Sequence, residues 1–152
     1  MTGRPADAGA GRDSEAVRAA NLALYDAFEA ADLDLMSAVW LDEPSTDAVC
    51  VHPGWPPIHG RGPVLRSWAM IMANTPYIQF VLTDVAVSVT GDIAVVTCAE
   101  NMLTGMPETA GASADEVGGG RVAATNIFRR TPGGWRLWVH HASPVLSTEG
   151  PQ

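Results

Sequence analysis

Apolar residues recur at helical spacing in the first half of the chain. Ser14 can cap a first helix that ends near Ala30, and Asp32 can cap a short second one. A proline at the first turn, Pro63, favours a third helix that Thr75-Pro76 stops. The core-facing stripes of these helices are Val17, Asn21, Leu24 and Phe28; Leu33, Met36, Val39 and Trp40; and Leu65, Trp68 and Met72.

The second half of the chain has the pattern of β-strands. A short β-type run at 48–53 comes first, and the Gly- and Pro-rich stretch after it predicts a loop or small hairpin. Four long strands are then predicted, at 77–89, 93–104, 121–130 and 135–146. The Gly- and Ala-rich acidic segment 105–120 predicts a flexible loop. Helices followed by strands, without βαβ alternation, indicate an α+β fold and argue against a Rossmann-type sheet.

The length of 152 residues suits one domain with one core. Residues 1–13 are rich in Gly, Ala, Pro and Asp, and we predict a disordered tail there because such a segment buries little apolar surface. The folded domain is predicted at 14–146, and 147–152 form a second tail. One site, and not two, is therefore expected.

Composition narrows the classes of function. The formal net charge is −8, which repels phosphate backbones and anionic lipids, so we expect neither nucleic acid nor a membrane as partner. All nine basic residues are arginine, which excludes lysine-dependent Schiff-base and P-loop chemistry. The N-terminus lacks the apolar core of a secretory signal, so a cytoplasmic location is expected. Cys50 and Cys98 lie in apolar runs typical of reduced, buried thiols.

Two segments, 31–68 and 124–144, resemble the SnoaL-like branch of the nuclear transport factor 2-like superfamily. The resemblance extends over about 15–146, and its most specific part is the last strand, with Trp135, His141 and Ser143. Over that strand the chain is also similar to the association domain of calcium/calmodulin-dependent kinase II.

The resemblance implies a cone-shaped, curved antiparallel sheet with three N-terminal helices that enclose a pocket. It also implies a homodimer formed through the outer sheet face. Family members include ketosteroid isomerase, scytalone dehydratase, polyketide cyclases and non-catalytic oligomerisation modules, so the fold alone does not give the function.

The same resemblance points to candidate catalytic residues. In the isomerase-like branch a general-base carboxylate precedes a proline, and the matching dipeptide here is His52-Pro53. Leu24 occupies the position of the isomerase tyrosine, and Tyr25 is predicted to lie off the pocket face. Comparison with the association domain places Glu100, Asn126 and His141 in the pocket.

Strand alternation gives a second argument for these residues. Val96, Cys98 and Glu100 share one strand face. Leu137, Val139, His141 and Ser143 share a face of the last strand, so His140 is predicted to point outward, to the outer sheet surface or a dimer interface. We expect Glu100 to hold an imidazole in one tautomer and to raise its pKa.

We therefore predict His52, Glu100 and His141 as catalytic, with Trp40, Trp55, Trp68 and Asn126 binding the substrate. Such a site suits a small hydrophobic or aromatic carbonyl compound, handled without cofactor by a cyclase, dehydratase or isomerase. Alternatively, the polar groups satisfy one another and the chain is a non-catalytic ligand-binding or oligomerisation module.

Three further features have alternative interpretations. His52, Glu100 and His141 could bind zinc or iron, although no H-x-H or H-E-x-x-H spacing supports a metal site. Arg61 and Arg66 could recognise a substrate carboxylate at the pocket mouth, but we expect them to be solvated surface arginines. His59 is predicted to be an exposed loop histidine.

Overall fold

The computed structural model of the protein describes residues 5–104 and 119–146. The helices are α1 (Pro5–Ala30), α2 (Leu33–Val39) and α3 (Arg61–Ala73). The strands are β1 (Val49–Val51), β2 (Ile58–His59), β3 (Ile78–Thr90), β4 (Ile93–Thr104), β5 (Gly119–Thr131) and β6 (Gly134–Pro144). The predicted α+β class is confirmed, with three helices and a curved, unclosed sheet.

The strands form one sheet in the order β2-β1-β6-β5-β4-β3. Long antiparallel pairs join β3 through β6, as expected for strands that follow one another along the chain. The short β1 runs parallel to β6, with Cys50 opposite His140. This pairing brings the end of β1, and hence His52, next to the last strand.

The helices cover one face of the sheet. Leu24 on α1 and Trp68 on α3 are buried in the same apolar core as Trp135 on β6, and Phe28 packs against that core. The predicted inward faces of α1 and α3 are therefore confirmed.

On α2, Met36 and Val39 are buried as predicted, but Leu33 is 42% exposed, so its predicted place on the inward face is wrong. Asp32 caps α2 as predicted, accepting a hydrogen bond from the backbone N–H of Leu35 at 3.0 Å.

Helix α1 begins at Pro5, well before the predicted start at Ser14. Residues 5–13 are therefore helical instead of forming the predicted tail. Asp13 makes two 2.8 Å contacts with the guanidinium of Arg130, which attach this part of the helix to the sheet. The prediction for 1–4, most of the predicted 105–120 loop and the predicted 147–152 tail lie outside the described residues.

A β-bulge in β6 changes which residues face the core. Ile127 lies opposite Val139, but Phe128 lies opposite Leu137, so Trp138 is an extra residue on β6. Because the side-chain period is two, the inward set changes from odd to even numbers at this point. His140 is consequently buried and His141 exposed, the reverse of the prediction.

Both cysteines are free and buried, as predicted. Within the described residues, no helix combines the length and the apolar character needed to cross a bilayer.

Candidate functional site

A cavity of about 260 Å³ lies between the helices and the sheet, and its lining includes the buried titratable side chains of Tyr25, His52, Glu100 and His140. It is lined by Tyr25, Phe28, His52, Pro53, Trp55, Trp68, Ile71, Ile78, Phe80, Glu100, Met102 and His140. A larger cavity of about 360 Å³ lies between α1, α2 and Trp135, but its charged lining residues are the surface groups Asp26 and Arg136. We place the candidate site in the smaller cavity because perturbed, buried titratable groups cluster at functional sites.

Glu100 is the central acidic group of this cavity. Its position on β4 faces inward, and it is only 4% exposed. The Tyr25 hydroxyl donates a hydrogen bond to its Oε2 at 2.5 Å. Burial raises the pKa of Glu100 to about 7, although the Tyr25 hydrogen bond acts in the opposite direction. A carboxyl with this pKa can both take up and release a proton near neutral pH.

Tyr25 lies on the cavity wall, so the prediction that it lies off the pocket face is wrong. The wide buried face of α1 includes both Leu24 and Tyr25. Burial, and then the nearby Glu100 carboxylate, raises the pKa of Tyr25, so the phenol stays protonated and acts as a donor. Helical spacing could have predicted this position, since Asn21, Tyr25 and Phe28 share one face of α1.

His52 lies at the end of β1, on the cavity wall as predicted, but its partner is not Glu100. The Ser67 hydroxyl donates to the Val64 carbonyl at 2.7 Å and therefore accepts at 2.8 Å from His52 Nε2–H. Burial lowers the pKa of His52 to about 4, so the expected rise in its pKa is wrong. The imidazole is neutral near pH ~7 and its Nδ1 is the unprotonated nitrogen.

His140 takes the place predicted for His141. Its Nδ1 lies 2.5 Å from the side-chain oxygen of Asn126, which is fully buried behind the cavity wall. The Asn126 amide also donates to Asn21 Oδ1 at 2.8 Å and to the Tyr25 oxygen at 3.2 Å. Burial lowers the pKa of His140 to about 3. The exposed His141 lies outside this network, because the bulge turns it to the other face of the sheet.

Two of the three predicted tryptophans line the cavity. Trp68 packs edge-on against His52, with ring centroids 4.7 Å apart, and Trp55 approaches the same ring at 5.0 Å. Trp40 is not part of the wall: it is buried where α2 ends and bridges to Leu137. The prediction that Trp40 forms part of this cavity wall is therefore wrong.

The turn that carries Trp55 is built for rigidity. The Trp55 N–H donates to the His52 carbonyl at 2.9 Å, and Gly54 has φ +81°. A type II turn requires a positive φ at its third position, which glycine adopts readily, and it often has proline at its second. Trp55 is partly exposed, so this turn holds an aromatic ring at the mouth of the cavity.

Two other predictions concern charged groups. His141 is exposed, so the set of His52, Glu100 and His141 considered for a metal is not assembled, and no metal-binding cluster occurs in the described part of the chain. Arg61 points away from the cavity and donates to Ser37 and to the Trp40 carbonyl, which ties the end of α2 to the start of α3. Arg66 and His59 are exposed, as predicted, but His59 lies in β2 and not in a loop.

Comparisons with known proteins agree with this architecture. The model of the SnoaL-like domain family matches residues 17–147. A structure from Streptomyces avermitilis, described as a proposed dehydratase of the NTF2-like family, is 55% identical, with 90% of this chain and 99% of that chain covered and a TM-score of 0.80. No curated protein matches the sequence.

Two further structures resemble the chain. One from Thiobacillus denitrificans, described as a proposed calcium/calmodulin-dependent protein kinase type II association domain, is 33% identical, with 84% of this chain and 94% of that chain covered and a TM-score of 0.69. An NTF2-like protein with a cystatin-like fold from Novosphingobium aromaticivorans is 20% identical, with 97% and 94% covered and a TM-score of 0.73, and shares the fold.

Proposed function

Since this chain belongs to the SnoaL-like domain family, we propose that it is an enzyme that moves protons on a small, largely apolar carbonyl compound in the cavity around Glu100. Dehydration and isomerisation are the reactions that fit best, and cyclisation of a polyketide-like compound uses the same proton transfers. The observation that carries the proposal is the buried Glu100 carboxyl, whose pKa is raised to about 7 on the wall of an aromatic cavity.

Glu100 supplies both halves of a dehydration. Its ionised carboxylate takes the proton from the carbon next to the carbonyl, and the C–H electron pair forms the new double bond as the C–O bond of a β-hydroxyl breaks. The protonated Glu100 then gives that proton to the departing hydroxide, which leaves as water, and the carboxylate is restored. In an isomerisation the proton returns to a different carbon instead. Proton transfer by a positioned side chain contributes about 10²–10⁴ in rate.

The residues around Glu100 adjust its pKa and orient the ligand. Tyr25 donates to Glu100 and so favours its ionised form, which keeps the carboxyl able to act as a base despite burial. His52 is neutral and its Nε2–H is bonded to Ser67, so we assign it an orienting role and not that of the principal base. The aromatic residues Trp55, Trp68 and Phe80 exclude water and pack against an apolar ligand.

The related structure from Streptomyces avermitilis supports a dehydratase, since its description proposes that activity at 55% identity to this chain. The structure from Thiobacillus denitrificans, at 33% identity, favours a second candidate, a non-catalytic binding or association module. The two candidates differ in whether Glu100 exchanges protons with a bound molecule.

Deuterium exchange tests the proposal without knowledge of the substrate. Small aromatic ketones, aldehydes and β-hydroxy ketones are incubated with the protein in D₂O, and NMR follows deuterium uptake at the carbon next to the carbonyl and loss of water. We expect accelerated exchange for some of them, with a loss of about 10²–10⁴ in Glu100→Gln. The surface variant Glu15→Gln is the control and should exchange like the wild type. Binding without exchange would contradict the proposal and favour the module.

A further inference from the structure

The donor and acceptor pattern behind the cavity wall fixes which nitrogen of His140 carries the proton. Tyr25 has one hydroxyl hydrogen, and at 2.5 Å from Glu100 Oε2 that hydrogen is donated to the carboxylate. The Tyr25 oxygen can then only accept a hydrogen bond from Asn126 Nδ2, 3.2 Å away. The same Nδ2 donates to Asn21 Oδ1 at 2.8 Å, so both of its hydrogens are used.

The orientation of the Asn126 amide is therefore determined, and its oxygen is turned to His140. An amide oxygen only accepts, so His140 Nδ1, 2.5 Å away, must be the protonated nitrogen. Burial of His140, which is 3% exposed, lowers its pKa to about 3 and keeps the ring neutral. A neutral imidazole with Nδ1–H has a lone pair on Nε2.

This lone pair is available to a ligand. The two nitrogens of an imidazole point in well-separated directions, and Nδ1 points at Asn126, which is not part of the cavity wall. His140 itself lines the cavity, and Nε2 has no hydrogen-bond partner among the described residues.

We propose that Asn126 is a positioning residue that holds His140 in the Nδ1–H tautomer, so that Nε2 accepts a hydrogen bond from a hydroxyl group of the ligand. The ligand class is thus a small, hydroxyl-bearing, largely apolar molecule. The inference rests on the proposed function only in taking this cavity as the ligand site. It adds the recognition of the hydroxyl group, which a β-hydroxy carbonyl compound would bring.

The first test is the tautomer itself, observed by ¹⁵N NMR of histidine-labelled protein without any ligand. We expect His140 to show a protonated Nδ1 and an unprotonated Nε2 near pH ~8, where the Glu100 carboxyl that accepts from Tyr25 is ionised. Replacement of Asn126 by leucine, which has no hydrogen-bond acceptor for His140, should abolish the preference for Nδ1–H. Asn126→Asp keeps an acceptor oxygen at this position and should keep that preference. A wild-type ring protonated at Nε2, or at both nitrogens, would overturn the proposal.

The second test is ligand selection, measured by titration with benzyl alcohol and its methyl ether, which lacks the hydroxyl hydrogen. For each protein we compare the Kd of the ether with the Kd of the alcohol. This ether-to-alcohol ratio should be about 3- to 10-fold higher for the wild type than for His140→Phe, the effect expected of one hydrogen bond. His141→Phe, on the opposite sheet face, is the matched control and should keep the wild-type ratio.

An ether-to-alcohol ratio unchanged in His140→Phe, or no binding of either compound to the wild type, would refute the ligand class. Neither test depends on turnover. Failure of deuterium exchange with the tautomer and the alcohol preference intact would therefore reject the enzyme and leave the positioning role of Asn126 in place.

Discussion

The buried Glu100 carboxyl predicts an unusual dependence of stability on pH. Its pKa is about 7 in the folded protein, against 4.5 for the same carboxyl in the unfolded chain. Between these values the folded state binds more protons than the unfolded state, so the free energy of unfolding falls as pH rises through this window. Linkage gives a loss of about 2–3 kcal/mol from this group between pH ~5 and pH ~8.

The two buried histidines act in the opposite direction. The pKa of His52 is lowered to about 4 and that of His140 to about 3, so their contributions strengthen the fold as pH rises toward the unfolded value of 6.5. The wild-type profile is a sum of these terms. A comparison with Glu100→Gln isolates the carboxyl, because glutamine keeps an oxygen that can accept from Tyr25.

The assay is urea unfolding of wild type, Glu100→Gln and the surface control Glu15→Gln at pH ~5 and pH ~8. We expect the stability of Glu100→Gln relative to wild type to increase by about 2–3 kcal/mol between the two conditions. Glu15→Gln should show no comparable change. A difference between wild type and Glu100→Gln that is the same at both pH values would show that Glu100 has an ordinary pKa, and the reasoning would be refuted.

Three other predictions concern the frame of the site and its surface. Arg61→Met removes the hydrogen bonds to the end of α2 and should destabilise the fold by about 1–3 kcal/mol in urea unfolding. Ser67→Ala leaves His52 Nε2–H without its acceptor, and we expect a similar loss in urea unfolding. Stability equal to that of the wild type would contradict this hydrogen bond. Val81 and Leu103 are 57% and 45% exposed on the outer sheet face. We therefore predict a dimer formed through this face, and a monomer mass in light scattering at micromolar concentration would refute it.

The architecture was predictable because its signals are local. Alternation and turn residues give β3 through β6 to within a few residues, and Asp32 marks the start of α2. The start of α1 was missed since a propensity argument for residues 5–13 does not include the pair between Asp13 and Arg130, which are far apart in sequence. A contact of that kind is visible only once the fold is known.

The site was predictable in part. Glu100 and His52 line the cavity because strand alternation and the end of β1 place them there. His140 was missed because one extra residue at Trp138 reverses the alternation, and bulges leave no reliable mark in a single sequence. Trp40 was assigned to the wall from residue type alone, although its position at the end of α2 buries it elsewhere.

The proposed chemistry depends on one group, and the pH profile of deuterium exchange tests it most directly. For the compound that exchanges fastest, we predict a rate that rises with pH and levels off above an apparent pKa of about 7, the value for Glu100. The same profile should appear in Glu15→Gln and be absent in Glu100→Gln. Exchange that persists in Glu100→Gln with the wild-type profile would contradict the assignment of Glu100 as the proton-transfer group.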